Sequence, residues 1–410
     1  MSFQFIRYLM CACAISLGCT TALGLGFRLV DQDAKATARG EAFAATADNP
    51  SAIYYNPAGI TQIDGLSARL GAYAISIETD VTLRDGQTFE SSDDVQGVPQ
   101  FYVTWKPRNH PVAIGFGVYA PYGLSVEYPD DTPFRSIAKR GEITFLTFNP
   151  VIALQVTRSL SVAVGATVNY AKTELERGIR AKGDRFLFEG SGEAYGFTAG
   201  ALWKPLPQHS FGLTYHSATK INFSGHTSIK VDAFTVATPL GPFPVAEIDS
   251  EEDSNARVHF PQFVILGYSY RPTPDWNLEV NVDWTDWDQL NTVNLQNQVI
   301  GDVPLPFNYT SSFLYEAGVT RSFSRGLYAS AGYIFSENSI PESQFNPIVP
   351  DQDRHVVSVG VGQKTDHWEW DLAYQCAFAN EDRRIRNNTP ADGEYNTTAH
   401  ALTLSVGYRY

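Results

Sequence analysis

No run of eighteen or more apolar residues occurs in this 410-residue chain, so no membrane-spanning helix is supported. Cysteine is scarce: three of the four fall within the first nineteen residues, and only Cys376 remains for any later fold, so an internal disulfide there is excluded. Positive charge is also in deficit. Thirty Lys and Arg against 44 Asp and Glu leave a net charge of −14, which argues against a nucleic-acid partner. The eight histidines show no metal-binding spacing, and neither a phosphate-cradling Gly-rich loop with Lys-Ser/Thr nor a Gly-x-Ser-x-Gly elbow is present. No metal, no cofactor and no enzymatic activity are therefore expected.

What is abundant is aromatic and small. Aromatics make up 13% and glycine contributes 32 residues, while mean hydropathy is only −0.19. Such a balance suits strands whose apolar residues alternate with polar ones, in a lipid-exposed barrel or a large secreted β-protein. At the N-terminus Arg7 precedes the apolar run Tyr8 to Leu17, and small residues follow up to Ala22-Leu23-Gly24. This reads as a signal peptide over 1–24, cut after Gly24 or, as second choice, Ala22.

Alternation separates the two β readings. Leu402, Leu404, Val406, Tyr408 and Tyr410 share a face against Thr403, Ser405, Gly407 and Arg409. Trp276, Leu278, Val280, Val282 and Trp284 oppose Asn277, Glu279, Asn281 and Asp283, with a tryptophan at each end of an aliphatic band. A sandwich would bury the apolar face; a transmembrane barrel shows it to lipid and ends it in interfacial aromatics. Fourteen segments follow, near 65–78, 98–106, 112–128, 142–157, 160–176, 193–204, 210–223, 257–271, 276–296, 310–323, 326–335, 353–364, 367–379 and 398–410. Short turns alternate with long connections such as 177–192 and 224–256. The expected fold is all-β, a fourteen-stranded antiparallel barrel over 65–410 in the outer membrane of a Gram-negative bacterium, with both termini periplasmic.

Residues 25–64 do not alternate. The Ala-rich run Asp33–Ala47 reads as helical, and Asp48–Gly59 as a chain of turns. Forty residues ahead of the first strand are expected to form a hatch that plugs the lumen.

Gly26-Phe27-Arg28-Leu29, the Ala/Gly-rich run, Asn56-Pro57-Ala58, Tyr122-Gly123-Leu124, Leu175-Glu176-Arg177, Lys220-Ile221-Asn222-Phe223 and Pro350-Asp351-Gln352-Asp353-Arg354 follow one another in an order that resembles the outer-membrane long-chain fatty-acid transporter family of FadL/TodX type. The resemblance implies a hatch-plugged barrel that takes up fatty acids or other hydrophobic compounds. It places Arg177 near a fatty-acid carboxylate, which a guanidinium can hold bidentately. No lysine lies between 297 and 330, where fatty-acid members carry a second cation, which leaves room for neutral hydrocarbons or aromatics.

The candidate substrate-binding residues are thus Phe27 and Arg177; Asn56, Pro57 and Ala58 mark the hatch; Pro350 to Arg354 form a structural motif. Pro121, Tyr122 and Gly123 interrupt the third strand and Asn149-Pro150 the fourth, so a gap between these two, beside Asn56-Pro57-Ala58, is the expected lateral exit. Asp351 and Asp353 are read as polar contacts at a strand start ahead of calcium ligands, and the acidic run 249–253 as a solvated surface ahead of a cation bridge to lipopolysaccharide. Outer-membrane lipid and lipopolysaccharide are the expected surroundings of a monomer. The leading function is passive, ligand-gated passage of hydrophobic molecules; the alternatives are a general diffusion porin, which the plug argues against, and a membrane-embedded barrel enzyme.

Overall fold

Period-two alternation sends every second side chain outward, and a sheet so patterned has no stable edge in lipid until it closes on itself. The computed structural model describes residues 26–92, 95–238, 241–297 and 301–410; the signal peptide expected over 1–24 lies outside the described residues. Its strands are β1 Gly65–Leu83, β2 Gln96–Lys106, β3 Val112–Tyr119 continued by Gly123–Glu127, β4 Arg140–Gln155, β5 Leu160–Gly178, β6 Arg185–Leu206 and β7 His209–His216 continued by Thr219–Val231. They go on as β8 Ile248–Phe260 with Phe263–Tyr270, β9 Trp276–Thr285 with Thr292–Asn297, β10 Val303–Pro306 with Ser312–Ser322, β11 Leu327–Ser336, β12 Arg354–Lys364, β13 Trp368–Phe378 and β14 Gly393–Arg409. Each runs antiparallel to the next, and β1 meets β14 from Ser67 opposite Arg409 to Leu83 opposite Gly393, which closes a fourteen-stranded barrel.

The two faces are those of a membrane protein. On β5 Val162, Val164, Val168 and Tyr170 are exposed while Ser161, Thr167 and Asn169 are buried. On β9 Val280 and Val282 face out while Glu279 and Asp283 are buried. The apolar band belongs in lipid, and the polar residues belong to the filled lumen.

Two expected loops are strand instead. β5 and β6 leave only 179–184 between them, and β7 and β8 pair from Thr219–Phe260 up to Val231–Ile248. Above the apolar band the outer face carries Lys220, Asn222, Ser224 and His226, so hydropathy no longer marks the strand there. The hatch also differs from the expected helix. Its helices are one turn each, α1 Ala34–Thr37 and α2 Ala52–Tyr55, followed by a 3₁₀ stretch Pro57–Gln62. Gly40 and Glu41 take positive φ (60° and 59°) and stop α1, so the alanines serve close packing against the wall.

Strand β4 is not broken at Pro150. Proline has no N–H for the ladder, and the Asn149 Nδ2 donates to the Ala166 carbonyl of β5 at 2.8 Å in its place. Asn149 Oδ1 in turn accepts from the Tyr119 hydroxyl at 3.0 Å. Changing Asn149→Leu strands both groups inside the barrel wall and is expected to cost about 1–3 kcal/mol, read as a lower denaturant midpoint in vesicles at unchanged slope.

Candidate functional site: the hatch, the kinked strand and the cavity between them

The hatch lies inside the barrel, and charge pairs fix its position. Arg28 makes a bidentate contact with Asp283 of β9 at 2.8 and 2.7 Å and donates to Thr285 at 2.7 Å. Arg69 of β1 joins Asp33, the N-cap of α1, and also Asp371 of β13 at 2.6 Å. Lys35 bridges Asp48 and Glu369, each at 3.0 Å, and Glu279 of β9 accepts from the Ala45 amide at 2.7 Å. Buried ion pairs add little net stability, but losing one partner strands a charge, so they hold the hatch in one register. Close approach is possible because Gly40 lies on Gly332 of β11; a Cβ at Gly332 would stand 2.0 Å from the Gly40 nitrogen.

Asn56-Pro57-Ala58 packs on the β6 wall. Asn56 Nδ2 donates to Ala201 O at 2.9 Å and to Ala44 O at 2.8 Å, and its Oδ1 caps the 3₁₀ stretch at Ala58. A Cβ on Gly200 would meet Asn56 and Pro57 within 3 Å. The motif therefore anchors the hatch to β6.

At the break in β3 the partner is the tip of the hatch. Leu29 N donates to Pro121 O at 2.9 Å, Gly123 N to Phe27 O at 3.0 Å, and Gln32 Nε2 to Ala120 O at 2.9 Å. The backbone groups freed by the interruption are thus satisfied by the plug. Below the break β3 pairs with β2 only from Phe101–Val118 to Trp105–Ile114. Above it, among the described residues, Gly123–Glu127 forms a ladder with β4 and none with β2, and the next link across is Ser92 N to Glu127 O at 2.9 Å. The discontinuity in the wall therefore lies between β2 and β3. The expected gap between β3 and β4 is corrected: those strands stay paired on both sides of the break, with Phe116 opposite Pro150. Three residues, Ala120 to Tyr122, stand there against two, Phe145 and Leu146, so β3 bulges inward without leaving β4.

Phe27 is buried in a nest of rings, with centroids 4.9 Å from Trp287, 5.8 Å from Phe260 and 6.2 Å from Tyr122. Beside it opens a cavity of about 90 Å³, where one water takes roughly 10–15 Å³. Its walls come from the hatch tip (Phe27 to Asp31), from Gly123–Val126 of β3, and from Tyr73, Ile75 and Ile77 of β1. Pro350, Asp351 and Arg354 also line it. Asp351 Oδ2 accepts from Ser339 N and Oγ at 2.8 and 2.6 Å, and Asp353 Oδ1 from Asn338 N at 2.7 Å, so both carboxylates serve as loop clasps. Gln352 is buried beside them. Asp31 and Glu41 of the hatch face each other, and burial raises both carboxyls above the usual range.

Arg177 is not part of this cavity. It ends β5 opposite Phe186, with its guanidinium 5.0 Å above that ring. The cations that do line the cavity are Arg28, held by Asp283, and Arg354, whose motif sequence reasoning noted without giving it a ligand. The signal was available: Arg354 has the inward parity of Val356 and Ser358.

Residues 15–410 match the family described as Outer membrane protein transport protein (OMPP1/FadL/TodX). The Long-chain fatty acid transport protein of Escherichia coli O6:H1 is 24% identical over 393 residues, covering 85% of this chain and 86% of its own length. Outer membrane protein P1 of Haemophilus influenzae is 22% identical over 467 residues, covering 97% and 98%. Among solved structures, a Pseudomonas aeruginosa FadL homologue superposes with a TM-score of 0.80 at 17% identity, covering 94% of this chain and all of that one. The Ralstonia pickettii toluene transporter TbuX gives 0.72 at 16%, covering 92% and 98%.

Proposed function

The chain belongs to the OMPP1/FadL/TodX family of outer-membrane transport proteins, and from that premise we propose that it carries hydrophobic compounds, long-chain fatty acids or related hydrocarbons, across the outer membrane by passive diffusion gated by its ligand. The observation that supports this most directly is the cavity wall. It is predominantly apolar, it touches the hatch tip, and one side is the part of β3 that has left β2. A ligand there competes with Phe27 and Leu29 for the same space. Because those residues also complete the hydrogen bonding of Pro121 and Gly123, displacing them loosens the hatch tip and uncovers the wall between β2 and β3. Substrate then leaves sideways into the membrane. The barrel acts as a monomer embedded in outer-membrane lipid and lipopolysaccharide, and its charged hatch contacts keep ions out.

The test is uptake. Cells lacking the protein should lose growth on at least one of oleate, an alkane or an aromatic hydrocarbon as sole carbon source, and regain it on complementation. Unchanged growth on all three, together with large steady conductance steps from the intact protein in planar bilayers, would replace this reading by a general diffusion porin.

A further inference from the structure

Strands β8 and β9 part above the apolar band, and what lines the parting on the outside is polar. The two strands pair from Tyr270–Leu278 up to Phe263–Thr285, and again, among the described residues, only from Ala256–Leu295 to Ser254–Asn297. Between these ladders stand six residues on β8 (257–262) against nine on β9 (286–294). The surplus turns inward as the 3₁₀ stretch Trp287–Gln289, whose Trp287 is fully buried against Phe27. On the outer side this leaves a depression of about 490 Å³, with Asn222, Arg257 and His259 in one wall and Asn291, Asn294 and Gln296 in the other.

In the ladder between β7 and β8, Lys220 stands opposite His259 and Asn222 opposite Arg257. Lys220 and Arg257 are therefore diagonal neighbours on one exposed face, roughly 7–8 Å apart at the backbone, close enough for two long side chains to converge on one anion. Asn222 Oδ1 accepts from Arg257 Nε at 2.6 Å, which orients the guanidinium and leaves its terminal nitrogens without an acceptor among the described residues. Carboxylates of the neighbouring segments are engaged elsewhere: Asp253 with His226 at 3.1 Å, Asp286 with Gln262 and Gln289 at 2.8 and 2.7 Å, and Asp288 with Ser311 at 3.0 Å. Two adjacent cations without a counter-charge repel each other, and they stand out in a chain of net charge −14. Their height is set by the band below. The pair Val264–Trp284 marks its upper edge, with Leu266 and Val282 exposed beneath it. His259 lies five residues further up the tilted strand, roughly 12 Å higher, at the level of lipid head groups.

We infer that Lys220 and Arg257, with the amides of the depression, bind the phosphorylated sugar head group of a lipopolysaccharide molecule in the outer leaflet. The two cations take a phosphate, to which a guanidinium offers a planar, two-point contact. The amides of Asn291, Asn294 and Gln296 meet sugar hydroxyls. A hydrocarbon has no use for such a lining, so the site is separate from the transport reading and independent of what the barrel carries. The bound head group covers the wall where the ladder between β8 and β9 is missing.

The experiment uses the full-length protein in phosphatidylcholine nanodiscs. The probes are diphosphoryl lipid A, the same lipid with both phosphates removed, and inorganic phosphate. Wild-type protein should prefer the phosphorylated lipid at least tenfold, the size of a charge-assisted contact. Lys220→Gln with Arg257→Gln should abolish that preference, Lys220→Arg with Arg257→Lys should retain it, and uptake of hydrophobic substrate should be unchanged in both. No preference in the wild type, or a preference that survives the double glutamine change, overturns the assignment. Displacement of the lipid by millimolar inorganic phosphate would make this a small-anion site and overturn it as well. If the double variant does not assemble, Arg257→Gln alone decides, and it must lower the preference at least threefold.

Discussion

A chain lacking residues 25–60 is expected to insert as a barrel and to pass ions in large steady steps across planar bilayers, while the intact protein stays nearly silent. The argument separates what closes the wall from what fills it. Closure comes from the ladder that joins β1 to β14 over Ser67–Leu83, which the deletion leaves whole. The filling comes from the hatch, in which Ala34, Phe43, Ala52 and Ile53 have no exposure at all. Without it the lumen keeps Glu279, Asp283, Glu316, Arg69 and Asp371, a charged lining that water can enter. A milder version is Gly332→Val, whose side chain would occupy the place of the Gly40 backbone. That change should push the hatch off β11 and give intermittent conductance. A truncated barrel correctly inserted and silent would mean that loops, not the hatch, block the lumen.

The sequence carries the barrel legibly because period-two alternation is a local property: seven or eight residues of β5 or β14 suffice to state which face is which. It carries the hatch only as an exception to that period. The contacts that seat the hatch are not legible, since Arg28 and Asp283 stand 255 positions apart and neither differs locally from an ordinary charged residue. The upper halves of β7 and β8 escaped because their outward face is polar in water, and only pairing with each other reveals them as strand. Proline misled at Pro150. A missing donor marks a break only if nothing else supplies the hydrogen bond, and the preceding asparagine does. At Pro121 no neighbour on the strand does so; the donor and acceptor come from Leu29 and Phe27, more than ninety residues upstream. The same limit hid Arg354. Its inward parity was readable, but its unpartnered Nε beside Gln375 depends on strand order and on the cavity that the hatch leaves.

Straightening β3 with Pro121→Val and Gly123→Val together is expected to abolish uptake of hydrophobic substrate while assembly stays normal. In the native chain β3 and β2 part above Phe101–Val118, and among the described residues the freed segment Gly123–Glu127 keeps its strand ladder with β4. Open ladder in lipid is costly, because each bare N–H or C=O there lacks water to replace its partner. The hatch tip covers part of that cost through Leu29 and Phe27. Valine at 121 restores a ladder donor and valine at 123 removes the flexibility of glycine, so both changes favour a continuous strand that can pair with Gln96–Gln100 of β2. The Cβ at position 123 would also press on the Leu29 side chain, 2.8 Å away, and displace the hatch tip from the kink. If substrate leaves through the wall, closing it removes uptake even though the cavity and Arg354 remain, and oleate binding to the purified variant should persist. If substrate instead passes down beside the hatch to the periplasm, uptake should be unchanged. Loss of binding along with uptake would place the damage in the cavity, and the lateral route would then rest on the single change Pro121→Val, which does not touch the Leu29 contact and must by itself reduce uptake if the route is correct.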